Sequence, residues 1–242
     1  MIKGISDLVS NLKKDFKNYD SPLWFRGQSR DSWPLLPHYL RLKKPPSEFT
    51  LLTKFKQNAV MLIDHKPKDN FDWLFLMQHY GVPTRLLDWS ESSLVALYFS
   101  VNETKEQKKD GTLWVLKPTE LNLKANIDSL EKNYIPSFEE DHVKTYSVES
   151  LLQEKNTKLL PLASIATRNS IRIQAQLGVF TISHRDKTPI EDIGDKSHIK
   201  KYIIPAKSKQ DILQELKLLG ITKFQLFPEL ASIGEIIKGE IK

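Results

Sequence analysis

The stretch from residue 77 to residue 100 constrains the fold most, because two apolar, helix-like segments flank a short polar turn there. Gly81 followed by Pro83 is a typical helix stop, since glycine readily adopts a left-handed conformation and proline cannot continue the helix. Residues 84–87 are predicted to form a short strand directly after this stop. The segment therefore predicts a helix, a strand and a second helix in close succession.

The turn itself carries more ionisable and aromatic side chains than a reversal of the chain requires. Turns that only reverse the chain are usually built from glycine, asparagine, serine and other small polar residues. This one contains His79, Tyr80, Thr84, Arg85, Asp88, Trp89 and Ser90. Because functional groups concentrate on loops that a rigid scaffold holds in place, we predict that this turn forms half of a binding site.

The composition narrows the class of protein. The chain of 242 residues contains no cysteine, which excludes disulfides, thiolate metal sites and cysteine nucleophiles. Its six histidines have no metal-ligand spacing, so no metal is predicted. No apolar run approaches the roughly 20 residues that span a bilayer, and residues 1–7 lack the apolar core of a signal peptide. We therefore expect a cytoplasmic protein with no membrane partner.

The chain is mildly basic, with a formal net charge of +6 and a sequence pI of about 9.2. Its lysines are spread widely, in short clusters such as Lys13-Lys14 and Lys200-Lys201. A nucleic-acid footprint requires basic residues that cluster on one face of the folded protein. The pattern favours solvated surface lysines and leaves an anionic partner open.

Strands and helices are mixed without a regular βαβ order or an internal repeat. Predicted strands cover residues 23–27, 84–87, 111–116, 171–182, 202–204 and 221–226. Predicted helices cover residues 4–18, 91–101 and 208–219, with others beginning at Ser47, Asn70 and Pro228. Asp88 or Ser90 is the predicted N-cap of the helix at 91–101, and residues 117–169 read as irregular cover or an insertion. The pattern predicts one α+β domain over residues 1–242, with a mostly antiparallel sheet and flanking helices.

Four blocks of this sequence resemble the FRG domain family, named for its Phe-Arg-Gly motif. They are Trp24-Phe25-Arg26-Gly27-Gln28, the run from His79 to Ser90 with Ala96-Leu97-Tyr98-Phe99, Arg172 with Ala175-Gln176, Gly178 and Phe180, and Phe227-Pro228-Glu229-Leu230. The resemblance covers about residues 20–230. The family's last block more usually reads Phe-Pro-Asp-Leu, and this chain has a glutamate in the third position.

A more distant resemblance is to the ADP-ribosyltransferases. These carry an Arg-Gly pair on a first strand, a Ser/Thr strand that runs into a helix, and a later strand with Glu-x-Glu. Arg26-Gly27, residues 84–90 and Gln174-Ala175-Gln176 follow a similar order and spacing. The resemblance implies an ADP-ribosyltransferase-like fold that binds NAD as a substrate. Both glutamates of that last motif are glutamine here, and a glutamine can bond a hydroxyl but cannot act as a base.

The resemblance also implies roles for particular residues. The predicted catalytic residues are Arg26, Asp88 and Gln176. The predicted substrate- or cofactor-binding residues are Gly27, Gln28, His79, Tyr80, Thr84, Arg85, Trp89, Ser90, Arg172 and Gln174. Thr84 and Ser90 would support the nicotinamide ribose, and Tyr80 or Trp89 would pack on the ring. Asp88 or Glu91 would supply the negative charge that Gln176 lacks.

These roles have structural alternatives. Arg26 binds a phosphate or ribose through its guanidinium, or it pairs with Asp88 as a buried ion pair. Asp88 is an orienting acceptor or a general base, or it only caps a helix. Arg85 contacts an anion or is a surface partner of Asp88. His79 contacts a ligand or complements the helix dipole. A strand over residues 171–182 would place Arg172 and both glutamines on one face, which lines a ligand site or faces solvent.

Two functions follow from these patterns. The first is an ADP-ribosyltransferase-like domain that transfers ADP-ribose from NAD to a nucleic-acid or protein acceptor, or cleaves NAD, as a toxin or phage-defence effector with an antitoxin or defence partner. The second is a non-catalytic module that recognises a nucleotide or nucleic acid in a defence system. A third alternative, direct nucleic-acid binding through the basic surface, predicts an affinity that falls steeply with salt.

Overall fold

The computed structural model describes residues 1–63, 66–127, 131, 133–154, 156–167 and 170–241. Within these residues the chain forms one six-stranded sheet in the order β4-β5-β2-β1-β3-β6, and every neighbouring pair of strands is antiparallel. Helices pack on both faces of the sheet. The predicted α+β class with a mostly antiparallel sheet is therefore confirmed.

The strands are β1 (Trp24–Gln28), β2 (Leu86–Ser90), β3 (Gly111–Leu116), β4 (Leu162–Ser164), β5 (Gly178–Ile182) and β6 (Ile199–Ile204). The helices are α1 (Ile5–Asp15), α2 (His38–Arg41), α3 (Glu48–Ala59), α4 (Asn70–His79), α5 (Ser93–Val101), α6 (Pro118–Lys124), α7 (Asp141–Lys144), α8 (Val148–Gln153), α9 (Ile171–Ala175), α10 (Lys209–Leu218), α11 (Lys223–Leu226) and α12 (Leu230–Glu240). Short 3₁₀ turns lie at Thr104–Glu106, Ile190–Asp192 and Ala206–Ser208.

The two central strands of the sheet separate soon after they meet. β1 pairs with β3 along its whole length, and β2 pairs with β5 along its whole length. Between β1 and β2, by contrast, the described strands share a single register pair, Phe25 with Ser90. The sheet is therefore split into the halves β4-β5-β2 and β1-β3-β6, with a gap between them beyond that pair.

Three buried apolar clusters cover the sheet. Phe25, Leu113 and Tyr202 pack against α1, α5 and α10 on one face of the β1-β3-β6 half. A second cluster joins Phe180 and the β2 and β5 side chains to α3 and α4. The third lies on the opposite face of the sheet, contains three tryptophans, Trp24, Trp89 and Trp114, and spans both halves. Strands β3, β4 and β5 are therefore buried at every position, whereas the edge strand β6 exposes two lysines.

Gly27 allows α5 to lie directly on β1. A Cβ built at Gly27 would lie 1.8 Å from the carbonyl oxygen of Ala96 and 2.7 Å from the backbone nitrogen of Ser100. The backbone that lies against this glycine belongs to α5, and its predicted contact with a ligand stays a prediction. The missing side chain sets the distance between strand and helix.

Arg85 is the most completely bonded charged side chain in this part of the molecule. Its Nε donates to Glu48 Oε2 at 2.7 Å, and its two terminal nitrogens donate to the carbonyls of Ser183 and Tyr146. Both Arg85 and Glu48 are buried, and Glu48 also accepts from the Arg85 backbone N–H at 2.9 Å. The predicted anion contact of Arg85 is wrong, and so is its alternative as a surface partner of Asp88. This pair instead ties α3 to the start of β2.

Three predicted elements differ from the observed ones. Residues 171–182 are not one strand: α9 occupies their first part, Leu177 turns the chain at φ 47°, and β5 follows. Residues 221–226 contain the short helix α11 instead of a strand. Residues 117–169 supply α6, α7, α8 and the edge strand β4 to the fold, although 128–130, 132, 155 and 168–169 lie outside the described residues.

Helix caps account for the smaller differences. Ser47 caps α3 as predicted, accepting from the Thr50 N–H. Asp69 takes the place of the predicted Asn70 cap of α4. Ser92 caps α5, so the predicted caps at Asp88 and Ser90 are wrong, because both of those residues still belong to β2.

Replacing Gly27 with alanine is expected to destabilise the fold severely. The new Cβ would overlap the α5 backbone, so helix and strand would have to move apart. We expect a loss of more than about 3 kcal/mol in the free energy of unfolding, measured by chemical denaturation. The matched control is Gly234→Ala in α12, where nothing lies within 4 Å of the added Cβ. That variant should stay within about 1 kcal/mol of the native protein, and an equal loss in both variants would contradict the argument.

Stability is expected to fall with acidification because of His184. Burial and, after it, the nearby guanidiniums of Arg85 and Arg185 together lower the pKa of this imidazole to about 4. The unfolded chain binds the proton near pH 6.5, so stability is lost as the pH falls through 6.5 and the loss is complete near pH 4. The native protein should lose roughly 3 kcal/mol over this window through His184. Denaturation curves of His184→Gln should show a smaller loss, and identical pH profiles would contradict the assignment.

Candidate active site

A cleft of about 820 Å³ opens where β1 and β2 separate. Its walls are formed by β1, the end of β2, the C-terminal half of α4, α9 and the α5 helix, with Phe227 closing one side. Most of the predicted site residues line it: Arg26, Gly27, Gln28, His79, Tyr80, Asp88, Trp89, Ser90, Arg172 and Gln176. Segments that lie up to 150 residues apart in the chain, from Arg26 to Gln176, therefore meet at one concave surface.

Arg26 and Asp88 face each other across the gap between the two strands. The Arg26 guanidinium donates to the backbone carbonyl of Asp88, and its Nη1 lies 4.0 Å from the carboxylate Oδ2. The Arg26 side chain is 22% exposed, whereas that of Asp88 is 60% exposed. Burial lowers the pKa of Arg26, and the Asp88 charge opposes this shift. The Arg26 Nε is buried and has no hydrogen-bond partner among the described residues, so the guanidinium keeps donor capacity.

A chain of directed hydrogen bonds positions the Asp88 carboxylate. The Thr84 hydroxyl donates to Gln78 Oε1, which leaves the Gln78 amide nitrogen to donate to Asp88 Oδ1 at 2.6 Å. Thr84 is buried, so its hydroxyl serves this network and does not reach a ribose as predicted. Sequence reasoning missed Gln78. The available signal was its position one residue before His79 on the last turn of a helix whose end forms the site.

Ser90 and Gln176 join the two sides of the cleft. The Ser90 hydroxyl donates to the Gln176 backbone carbonyl at 2.7 Å and accepts from the Ser92 N–H at 3.0 Å. The Gln176 side chain donates to the Leu226 carbonyl at 3.0 Å. Both side chains therefore already have structural partners. The structure brings Gln176 to the cleft as predicted but from the end of a helix, and it gives the amide a tethering role.

One carboxylate lies between an imidazole and a guanidinium near the cleft. Glu229 Oε1 lies 3.6 Å from His79 Nε2 and 3.8 Å from Arg172 Nη1. The Arg172 guanidinium lies 4.8 Å from the centre of the Phe227 ring. Burial lowers the pKa of His79, and Glu229 opposes this shift. Sequence reasoning placed Glu229 in a family block without a role, and here it links α4, α9 and the segment before α12.

Three further predicted ligand residues differ in their relation to the cleft. Trp89 and Gln28 line it while their side chains bond within the protein, and Gln174 lies outside it. The Trp89 ring packs into the tryptophan cluster and donates its indole N–H to Thr181 at 3.0 Å. The Gln28 side chain accepts from the Trp114 indole at 2.8 Å and donates to a backbone carbonyl. Gln174 is exposed on α9 and does not line the cleft.

Among the described residues, no group of three or more histidine, aspartate or glutamate side chains is arranged to hold a metal ion. No described helix combines the length and the hydropathy needed to cross a bilayer.

The bond chain to Asp88 predicts a measurable cost for Thr84→Val. Valine keeps the shape of threonine but leaves Gln78 Oε1 without its donor in a buried setting. We expect a loss of about 1–3 kcal/mol in the free energy of unfolding, measured by chemical denaturation. The control Thr145→Val removes an exposed hydroxyl and should change stability by less than about 0.5 kcal/mol. A Thr84→Val variant as stable as this control would show that the hydroxyl does not orient the amide.

Comparison with known proteins agrees with one part of the sequence resemblance. The model of the FRG domain matches residues 21–109, which include β1, α4, β2 and α5. No curated protein and no solved structure matches the chain. The blocks at residues 172–180 and 227–230 lie beyond the matched range, so their assignment to the family stays a prediction. The motifs that build the Arg26–Asp88 side of the cleft all lie inside the match, so residues 21–109 of this chain are similar to the FRG domain.

Proposed function

We propose that this FRG domain is ADP-ribosyltransferase-like and that its cleft binds NAD. The observation that carries the proposal is the split of the sheet between β1 and β2. It places Arg26 from the first motif, Asp88 from the second and Gln176 from the third around one cavity. These are the three segments that the sequence resemblance assigns to the NAD site.

The cavity suits a dinucleotide in size and in chemistry. Its volume of about 820 Å³ lies in the range of small-molecule and cofactor sites. Phe25, Phe99 and Phe227 supply apolar walls, and Arg26 and Arg172 supply guanidiniums that can bind phosphate oxygens. Of the two rings predicted to pack on nicotinamide, that of Tyr80 is exposed, whereas that of Trp89 is buried in the core.

The chemistry needs charge stabilisation and positioning more than proton transfer. Nicotinamide leaves through an oxocarbenium-like state, so a carboxylate beside the nicotinamide ribose would stabilise the positive charge that develops there. In this proposal the Asp88 carboxylate, exposed to the cleft and positioned by Gln78, takes that role. Arg26 holds a phosphate or ribose next to it. The bond between nicotinamide and its ribose breaks, and nicotinamide is released. The ribose carbon then bonds to a nucleophile of a nucleic-acid or protein acceptor, which loses a proton, or to water, which gives free ADP-ribose.

A NAD-consuming domain would be harmful to the cell that makes it. For this reason the proposal keeps the predicted biological role, that of a cytoplasmic toxin or phage-defence effector whose activity an antitoxin or defence partner restrains. The proposal includes such a partner without assigning it a surface.

A non-catalytic nucleotide-recognition module is the second candidate, and Gln176 is the observation that favours it. The glutamine has no charge, and its amide is already bonded to the Leu226 carbonyl. A cleft with this arrangement could bind a nucleotide and pass the signal to a partner without breaking a bond. The two candidates differ in turnover, so one experiment separates them.

The test measures NAD binding and nicotinamide release on the same protein samples. A binding-competent cleft should gain about 2.7 kcal/mol of stability at a NAD concentration of 100 times the dissociation constant, seen as an upward shift of Tm. Chromatography then detects nicotinamide release. Arg26→Ala should raise the dissociation constant by roughly 10- to 100-fold, because it removes charge-assisted hydrogen bonds. Asp88→Asn should retain binding and lower release by about 100-fold or more.

The control is Lys207→Ala, which removes a cationic side chain from an exposed position outside the cleft lining. This variant should bind NAD and release nicotinamide as the native protein does. Binding without release supports the recognition module over the enzyme. Neither binding nor release in the native protein, or equal losses in Arg26→Ala and Lys207→Ala, would overturn the NAD proposal.

A further inference from the structure

Two aromatic side chains at the cleft are exposed to solvent and lie outside the buried core. Trp33 is 36% exposed and Tyr80 is 66% exposed, and both line the cleft. Tyr80 follows the last turn of α4, where its ring meets the His79 ring edge-on at a centroid distance of 4.8 Å. Exposed aromatic rings at a cleft are stacking surfaces for flat ligand groups, since every nucleobase presents a π-face.

Trp33 is held in place by polar bonds of the loop that follows β1. The backbone N–H of Leu35 donates to the Glu191 carboxylate at 3.0 Å, and the Gln28 amide donates to the Pro34 carbonyl at 3.3 Å. The Arg30 guanidinium lies 5.8 Å from the centre of the Trp33 ring and is itself bound by Glu106. The loop that carries the ring is therefore tied to its neighbours before any ligand arrives, which lowers the entropy cost of ordering it on binding.

The same cleft carries two exposed lysines. Lys66 and Lys68 line it together with the guanidiniums of Arg26 and Arg172, which makes four basic side chains. The acidic side chains on the lining are Asp72, Asp88 and Glu103. The charges on the lining are thus mixed, with a small excess of positive charge. Such a surface favours a polyanion whose phosphates lie near the lysines.

We infer that the rim of the cleft, formed by Trp33, Lys66, Lys68 and Tyr80, binds a single-stranded nucleic acid. Bases would stack on the two aromatic rings, and phosphates would pair with the lysines. A concave site suits a single strand, because its bases are free to turn out and stack on protein side chains, whereas duplex bases are stacked on each other. Through this rim, a base or ribose of the strand would reach the Arg26–Asp88 end of the cleft.

This single strand would be the acceptor of ADP-ribose, and that part of the inference rests on the proposed function. Binding of the strand does not depend on NAD. Oligonucleotide affinity is therefore measured without NAD, so its outcome is independent of whether NAD binds or turns over.

The experiment is fluorescence anisotropy with labelled single-stranded RNA and DNA of about ten nucleotides, and with the matched duplexes. The single strands should bind more tightly than the duplexes. Trp33→Ala and Tyr80→Ala should each weaken binding by about tenfold, because base stacking on one aromatic side chain is lost. The double variant Lys66→Ala/Lys68→Ala should reduce the slope of log affinity against log salt by roughly 1.4, as expected for two lost phosphate contacts.

The chain offers a control for each kind of change. Phe224→Ala removes an aromatic side chain that is 60% exposed and does not line the cleft, and Lys13→Ala/Lys14→Ala removes two exposed lysines of α1. Both should bind as the native protein does, and thermal melting confirms that each variant is folded. Absence of oligonucleotide binding at low salt overturns the inference and leaves a protein acceptor. Tighter binding of duplexes, or equal losses in the rim and control variants, also overturns it.

Discussion

The separation of β1 from β2 is the constraint on which the rest of this structure depends. Two adjacent strands of one sheet normally form a ladder of backbone hydrogen bonds, but these two share only the pair Phe25–Ser90. Each is paired along its whole length with its other neighbour, β3 or β5, so the missing ladder does not leave either strand unsupported. The backbone groups that would have closed the gap instead border a cleft, and Arg26 reaches across it to the Asp88 carbonyl.

Two arginines that look alike in the sequence have opposite fates. Arg85 is buried with Glu48 and two backbone carbonyls, and its donors hold α3 and the start of β2 together. Breaking such a pair by removing one partner typically costs about 3–5 kcal/mol, because the remaining charge is left uncompensated. Arg26 bonds a single carbonyl of the described residues and keeps an unpartnered Nε at the cleft. The first arginine supports the scaffold and the second is available to a ligand.

The polar ties around the cleft show how a site is kept in shape without a ligand. Thr84, Gln78 and Asp88 form one directed chain, and Ser90, Gln176 and the Leu226 carbonyl form another. Each chain joins segments that are distant in sequence or lie on different elements. Thr84 and Ser90, which were predicted to contact a ligand, therefore hold the walls of the cleft in place. Support of this kind lowers the reorganisation that binding or transfer would require.

The sequence alone was enough to predict features that depend on near neighbours. The Ser47 cap, the helix stop at Gly81, the strand at residues 111–116 and the antiparallel α+β class follow from local conformational preferences and hydrophobic periodicity, and each is observed. The motifs at residues 24–28 and 79–90 were also recognisable from the sequence, and both lie within the family match. Only tertiary structure decided that residues 171–182 form a short helix followed by a strand. Over so few residues, the hydrophobic pattern of a helix resembles that of a strand, and packing selects one of them. Tertiary structure also decided which polar side chains are hydrogen-bonded within the protein, as Arg85, Trp89 and Gln176 are, and which face the cleft. Hydrogen-bond partners that lie far apart in the chain leave no periodic signal in the sequence.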